Sequence, residues 1–133
     1  MIPNTLKFLD ISHNNIAQLY LDGTSIEEVQ ANNNQLTMIP SVGNAFFKKI
    51  NVANNKITEM RIPSEGGCFI FCYYTLAPNI EWIDISNNLL QTFNATSSGA
   101  TKIKYLDLRG NTNIKSLSDL YTSSGTVVTQ SEA

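Results

Sequence analysis

Three aspartates in this 133-residue chain stand at matching places, and two of them could form a carboxylate pair. Asp10, Asp84 and Asp107 each lie between apolar residues, in Leu9-Asp10-Ile11, Ile83-Asp84-Ile85 and Leu106-Asp107-Leu108. Such alternation is the period of a strand with one dry and one wet face, which puts the aspartates on the wet face. If the stretches around Asp84 and Asp107 are adjacent strands, their carboxylates lie about 5 Å apart, one strand spacing. Retaining glycoside hydrolysis uses two carboxylates at about that separation, and Ca²⁺ binds among carboxylate oxygens. The hydrolysis also needs a closed pocket, and an open sheet face offers none. The aspartates are therefore expected to be solvated, or to meet a cation carried by a partner.

Other reactive side chains give little to build on. His13, the single histidine, falls at the end of a strand-like stretch and reads as an exposed polar residue rather than a general base. Cys68 and Cys72 are too few for a disulfide scaffold, and a metal site would need two further ligands near them. On a helix their spacing puts them on one face but makes a disulfide geometrically poor, so two free thiols are expected. The chain has no phosphate-binding or dinucleotide glycine loop, no H-E-x-x-H and no G-x-S-x-G. No catalytic residue, metal ligand or cofactor is assigned, and the chain is not expected to be an enzyme.

The elements that would carry these residues repeat along the chain. Leu6-Lys7-Phe8-Leu9-Asp10-Ile11-Ser12-His13-Asn14-Asn15-Ile16 is matched position for position by the stretches beginning at Ile26, Phe47 and Ile80. A fifth copy starts at Ile103 and reaches its last apolar residue, Ile114, one place late. The common pattern is L-x-x-L-x-L-x-x-N-x-L, with Asn14, Asn34, Asn55, Asn88 and Asn111 at its invariant place. Their spacings are 20, 21, 33 and 23 residues. A strand this short is not stable alone; stacking the copies at about 4.8 Å per strand makes a parallel sheet over a continuous apolar column.

Five tandem copies of this pattern resemble the leucine-rich-repeat family over residues 3 to about 117. The repeats are short and irregular. The resemblance implies an α/β, mostly β, solenoid: a right-handed superhelix with about five parallel strands on a concave face and irregular, 3₁₀ or short helical returns outside. It also implies that the five asparagines form a ladder between adjacent turns, each amide satisfying backbone groups that the bend after a strand leaves unpaired. The middle of that ladder is expected to matter most, Asn55 more than Asn111. The leucine-rich-repeat domain is assigned to 1–117 and a polar tail or linker to 118–133. With no cysteine cap at either end, the chain reads as a fragment of a longer protein, with ends open to self-association.

The return after the third copy is about ten residues too long. It contains Gly66-Gly67, both cysteines and an apolar run from Phe69. Two readings stand: a convex helix that tucks Phe71, Tyr74 and Leu76 inward, or a protruding apolar loop that contacts a partner.

Aligning the copies predicts the concave face. One outward column is Phe8, Glu28, Lys49, Trp82 and Tyr105; the next is Asp10, Gln30, Asn51, Asp84 and Asp107; a third is Ser12, Asn32, Ala53, Ser86 and Arg109. Outward aromatics on an open sheet have no core to fill, and Trp and Tyr often anchor interfaces. Phe8, Asp10, Glu28, Lys49, Trp82, Asp84, Tyr105, Asp107 and Arg109 are the candidate partner-binding residues. Trp82 and Tyr105 would be the anchor, with Asp84 and Asp107 selecting a cationic or hydrogen-bond-donating partner. The plainer alternative is that the two rings only pack flat across neighbouring strands.

The bulk numbers agree with a folded binding module. Apolar residues make up 42% of the chain and charged residues 15%, with a net charge of −2. Nine scattered Lys and Arg do not make the clustered basic face that nucleic acid demands. No apolar run is long enough to insert in a membrane. The expected function is recognition of a protein partner through the concave face, in host defence, adhesion or a pathogen effector. The alternatives are a regulatory or targeting segment of a larger phosphatase, kinase or ubiquitin ligase, and a plain structural spacer. The start shows no signal peptide, while Asn94-Ala95-Thr96 is an N-glycosylation sequon. Compartment is open, with extracellular slightly favoured.

Overall fold

A computed structural model describes residues 5–21, 24–39, 47–62, 80–95, 104–112 and 127–129. Five strands of three residues each begin two positions into the five copies. They are β1 (Phe8–Asp10), β2 (Glu28–Gln30), β3 (Lys49–Asn51), β5 (Trp82–Asp84) and β7 (Tyr105–Asp107). They pair in parallel in the order β1-β2-β3-β5-β7. The register is that of the repeats: Phe8 faces Glu28, Glu28 faces Lys49, Lys49 faces Trp82, and Trp82 faces Tyr105.

The middle residue of each strand points into the core. Val29, Ile50, Ile83 and Leu106 are fully buried, as are Ile26, Phe47 and Ile80 ahead of the strands and Leu36, Ile57 and Leu90 after the bend. The first copy is different. Leu6, Leu9, Ile11 and Ile16 pack against this core but are only partly buried, so the column opens at its N-terminal end.

Two elements go beyond the repeat pattern. A sixth strand, β8 (Val127–Thr129), pairs in parallel with β7. It arises from Val127-Val128, the one apolar spot in the stretch assigned to a tail. Three β-branched residues suit a strand, but nothing around them matches the repeat. The second addition is a separate two-stranded parallel sheet of β4 (Glu59–Ile62) and β6 (Thr92–Ala95), formed in the returns after the third and fourth copies. Its register sets Met60 opposite Phe93 and Glu59 opposite Thr92, apolar with apolar and polar with polar. The returns therefore hold strand pairs rather than only irregular chain, and no helix occurs among the described residues. The long return from 63 to 79, with Cys68, Cys72, Phe71, Tyr74 and Leu76, lies outside the described residues, as do Ile103 and Ile114.

Each copy turns in the same way. His13, Asn33, Asn54 and Asn87 have φ of 58, 59, 57 and 54°, and Gly110 has φ of 80°. This left-handed conformation favours Gly, Asn and His over other side chains, which explains a residue choice that outward exposure alone did not. The N–H groups of His13, Asn33, Asn54 and Asn87 each donate to a carbonyl of the next copy, at 2.8–3.0 Å. Gly110 has a second constraint: a Cβ there would strike the side-chain carbonyl of Asn87 and lie 3.1 Å from its Cα. Gly110→Ala is expected to lower the unfolding free energy by about 1–2 kcal/mol. Urea denaturation checks this; an unchanged midpoint would mean that Asn87 simply moves aside.

The bend is closed by the asparagines. Asn55 accepts from Leu36 N–H at 2.9 Å and donates to Ala31, Val52 and Ala53 carbonyls at 3.1, 3.0 and 3.2 Å. Asn34 accepts from Ile16 N–H and donates back to the Ile11 carbonyl; Asn88 does the same with Ile57 and Val52. Asn111 does it with Leu90 and Ile85. Each of these four rungs reaches into the preceding copy. Asn34, Asn55, Asn88 and Asn111 are thus all buried and bonded alike, and the expectation that Asn111 is weaker for lying near an end does not fit this geometry. The weak member is Asn14. It is exposed, donates only to Ile11 and Ser12 of its own turn, and has no partner for Oδ1 among the described residues.

Candidate functional site

The concave columns carry the candidate residues, and the first of them forms a chain of contacts across the sheet. Glu28 and Lys49 form an ion pair at 3.2 Å. The Lys49 ammonium sits over the Trp82 ring, 4.6 Å from its centroid. Tyr105 stacks on Trp82 with centroids 4.8 Å apart and planes within 9°. The Tyr105 hydroxyl donates to Asp107 Oδ2 at 3.2 Å, and Arg109 donates to the same oxygen at 2.7 Å. Such links contribute about 0.5–1.5 kcal/mol for the ring stack and about 0.5–1 kcal/mol for the cation over an aromatic face. The flat packing weighed from sequence is therefore present. Lys49 from β3 and Tyr105 from β7 cover Trp82 from its two sides, and what the indole offers a visitor is its edge. Phe8 stands apart from this chain on β1 and is 50% exposed.

The second column is built of turn-closing groups. Asp10 Oδ1 accepts from the Ser12 N–H and hydroxyl, at 3.0 and 2.6 Å. Asp84 does the same with Ser86, at 3.0 and 2.7 Å, and Asn51 Oδ1 accepts from Ala53 N–H at 3.0 Å. A short side-chain oxygen bonding the backbone two residues on is the ordinary Asx turn. The Ser12 hydroxyl and N–H hold the Asp10 carboxyl below its usual range.

Asp107 goes further. It caps Arg109 N–H and binds the Arg109 guanidinium through both carboxylate oxygens. It is buried, with 1% exposure, while the Arg109 side chain stays 63% exposed. The two aspartates predicted to act together are thus separated in role. Asp107 is committed to Arg109 and Tyr105, while Asp84 is half-buried and bonds Ser86 through one oxygen alone. Burial, together with the Asp107 charge, pushes the Tyr105 phenol above its ordinary value. Asp84 and Asp107 are neighbours in register, but a buried, ion-paired Asp107 is not placed to attack a sugar.

A further column was not read from the sequence. Lys7, Glu27, Lys48, Glu81 and Lys104, one place ahead of the strands, alternate in sign from copy to copy. Glu81 lies between two lysines, 3.5 Å from Lys48 and 3.3 Å from Lys104, and Lys7 meets Glu27 at 3.8 Å. The signal was available in the same alignment, one column to the left of Phe8. Lys104, and then Lys48, hold the Glu81 carboxyl below the ordinary value of 4.5, against an opposing push from burial. A carboxylate whose folded pKa is lowered contributes stability above about pH 4.5 that fades as the pH falls through the folded value. Glu81→Gln should therefore melt below wild type at pH 7, and the gap should narrow as the pH falls below 4.5. A gap that does not change with pH would assign the loss to packing instead.

With the repeat geometry in place, comparison with known proteins is direct. A family model described as leucine-rich repeat matches residues 3–17. The chain is a leucine-rich-repeat protein. It is 26% identical over 114 residues to mouse leucine-rich repeats and immunoglobulin-like domains protein 2. Against human protein 2 and human protein 1 of the same name it is 27% and 30% identical, over 115 residues each. These alignments cover 83–84% of this chain but only 10% of each relative, so the chain spans about a tenth of the length of the curated proteins it matches. No solved structure matches. Among the described residues, no helix is long and apolar enough to cross a membrane.

Proposed function

We propose that this leucine-rich-repeat module recognises a protein partner on its concave face, with the Trp82–Tyr105 stack and Arg109 as the centre of contact. The observation that carries this reading is the stack itself. Two large half-buried rings and an arginine held by its own aspartate meet on one open face, and Trp, Tyr and Arg are the residues in which interface energy concentrates. The side chains are fixed before any partner arrives, so little ordering entropy is lost on binding. The repeat family supports protein binding as the module's role; no catalytic role is assigned to any residue.

Extracellular placement fits this reading better than cytoplasmic. The relatives' names pair leucine-rich repeats with immunoglobulin-like domains, an architecture shared by many cell-surface domains. Asn94 of the sequon lies on β6, in a sheet separate from that of the concave strands. Host defence, adhesion and effector roles remain proposals of the same kind, as does a targeting role within a larger enzyme.

The test is a paired pull-down with immobilised wild-type chain and Trp82→Ala, read by mass spectrometry. Proteins retained by the first and lost from the second support the reading. Identical lists would move the site off this face.

A further inference from the structure

The charges on the concave strands are nearly all matched within the molecule. Glu28 is taken by Lys49, Asp107 by Arg109, and the column ahead of the strands pairs Glu27 with Lys7 and Glu81 with Lys48 and Lys104. Asp10 is exposed on the open first strand. Asp84 is the exception: among the described residues it is the half-buried carboxylate without an ion pair. One oxygen closes the turn to Ser86, and the other carries no hydrogen bond. The strand register puts it between Asn51 and Asp107, on the same face as Trp82 two residues earlier. Asp84, Asp107 and Arg109 together hold one negative charge more than positive.

We propose that Asp84 receives a lysine or arginine side chain of the protein partner, whose alkyl stem lies along the Trp82 edge. This rests on the concave-face reading above and names the chemistry of its partner. Three features favour that occupant. A half-buried carboxylate with a free oxygen gains a short charge-assisted bond from an ammonium or guanidinium. Long basic side chains cover apolar surface with their stems while the head group stays at the rim. And because both sides of the indole are covered by Lys49 and Tyr105, a sugar ring could not stack on it as on an open aromatic platform. The Arg109 guanidinium, held by Asp107, keeps outward N–H groups for backbone carbonyls of the same segment. Asp107 itself makes no contact with the partner.

The test uses a random peptide library displayed on phage, panned in parallel against the full chain and against Asp84→Asn, with each clone rescreened on Trp82→Ala. The variant keeps the fold, because Asn51 already closes the equivalent turn with an amide oxygen. Clones from the wild type that depend on Trp82 should carry Lys or Arg at a fixed place, and that enrichment should fall about threefold or more on Asp84→Asn. Equal basic content among the Trp82-dependent clones of the two baits would overturn the assignment of Asp84 while leaving the concave face intact. If no clone depends on Trp82, the concave-face reading falls, and the role of Asp84 with it.

Discussion

Asn55→Ala should lower the unfolding free energy by about 2–3 kcal/mol, whereas Asn14→Ala should cost less than about 1 kcal/mol. The two residues are the same by sequence and occupy the same repeat position. The difference is what truncation leaves behind. At Asn55 it strands the Leu36 N–H in the buried bend without its 2.9 Å partner, and it takes one of two donors from each of the Ala31, Val52 and Ala53 carbonyls, which keep Asn34, Asn88 and the Asn33 N–H. Buried groups without partners bear the full cost of lost hydration. At Asn14 the side chain is exposed and water replaces what is removed. Because the rung at Asn111, like that at Asn55, reaches toward the preceding copy, Asn111→Ala should behave like Asn55→Ala, with Leu90 N–H losing its partner and the Ile85 carbonyl keeping only Asn88. Urea titrations read by Trp82 fluorescence and by circular dichroism give the three values. Equal losses at 14 and 55 would show that the rung does not depend on a preceding copy.

The strands and the columns were legible in the sequence for a physical reason. Burial on one face forces apolar residues to alternate, so Leu9, Val29, Ile50, Ile83 and Leu106 could be aligned by eye, and the register of the sheet follows from that alignment. The chemistry on the wet face was less legible. Asp84 and Asp107 look identical in Ile83-Asp84-Ile85 and Leu106-Asp107-Leu108. What separates them is the residue two places on: Ser86 can only cap, while Arg109 can fold back and pair. The left-handed residue before each ladder asparagine left a compositional trace in His13, Asn33, Asn54, Asn87 and Gly110, although a preference for Asn or Gly also fits plain exposure. Strand β8 and the β4–β6 sheet left little trace. Strands β4, β6 and β8 lie outside the repeat pattern, and period-two alternation over three or four residues is too short to stand out from loop sequence.

Trp82→Ala should weaken binding of a concave-face partner by about 2 kcal/mol or more, close to a 30-fold rise in Kd, and leave the fold in place. The core lies on the other side of the sheet: Ile83 and Ile85 are fully buried on either side of Asp84 and do not touch the solvent the indole faces. Truncation removes the stack on Tyr105 and the Lys49 contact, which costs stability about 1–2 kcal/mol. It also frees Lys49 and Tyr105 to move, so part of the affinity loss comes from ordering that the native stack had already supplied. Thermal melting separates the two effects, since a folded variant with weakened binding has lost contact rather than structure.

The most direct measurement sets that variant against an aromatic more open to solvent but off the concave strands. Tyr20 is 67% exposed and lies between β1 and β2, in the return of the first copy. Calorimetric titration of a partner recovered with the wild-type chain should give a Kd raised about 30-fold by Trp82→Ala and unchanged by Tyr20→Ala. The opposite order, with Tyr20→Ala weakening the complex and Trp82→Ala leaving it intact, would contradict recognition by the concave face.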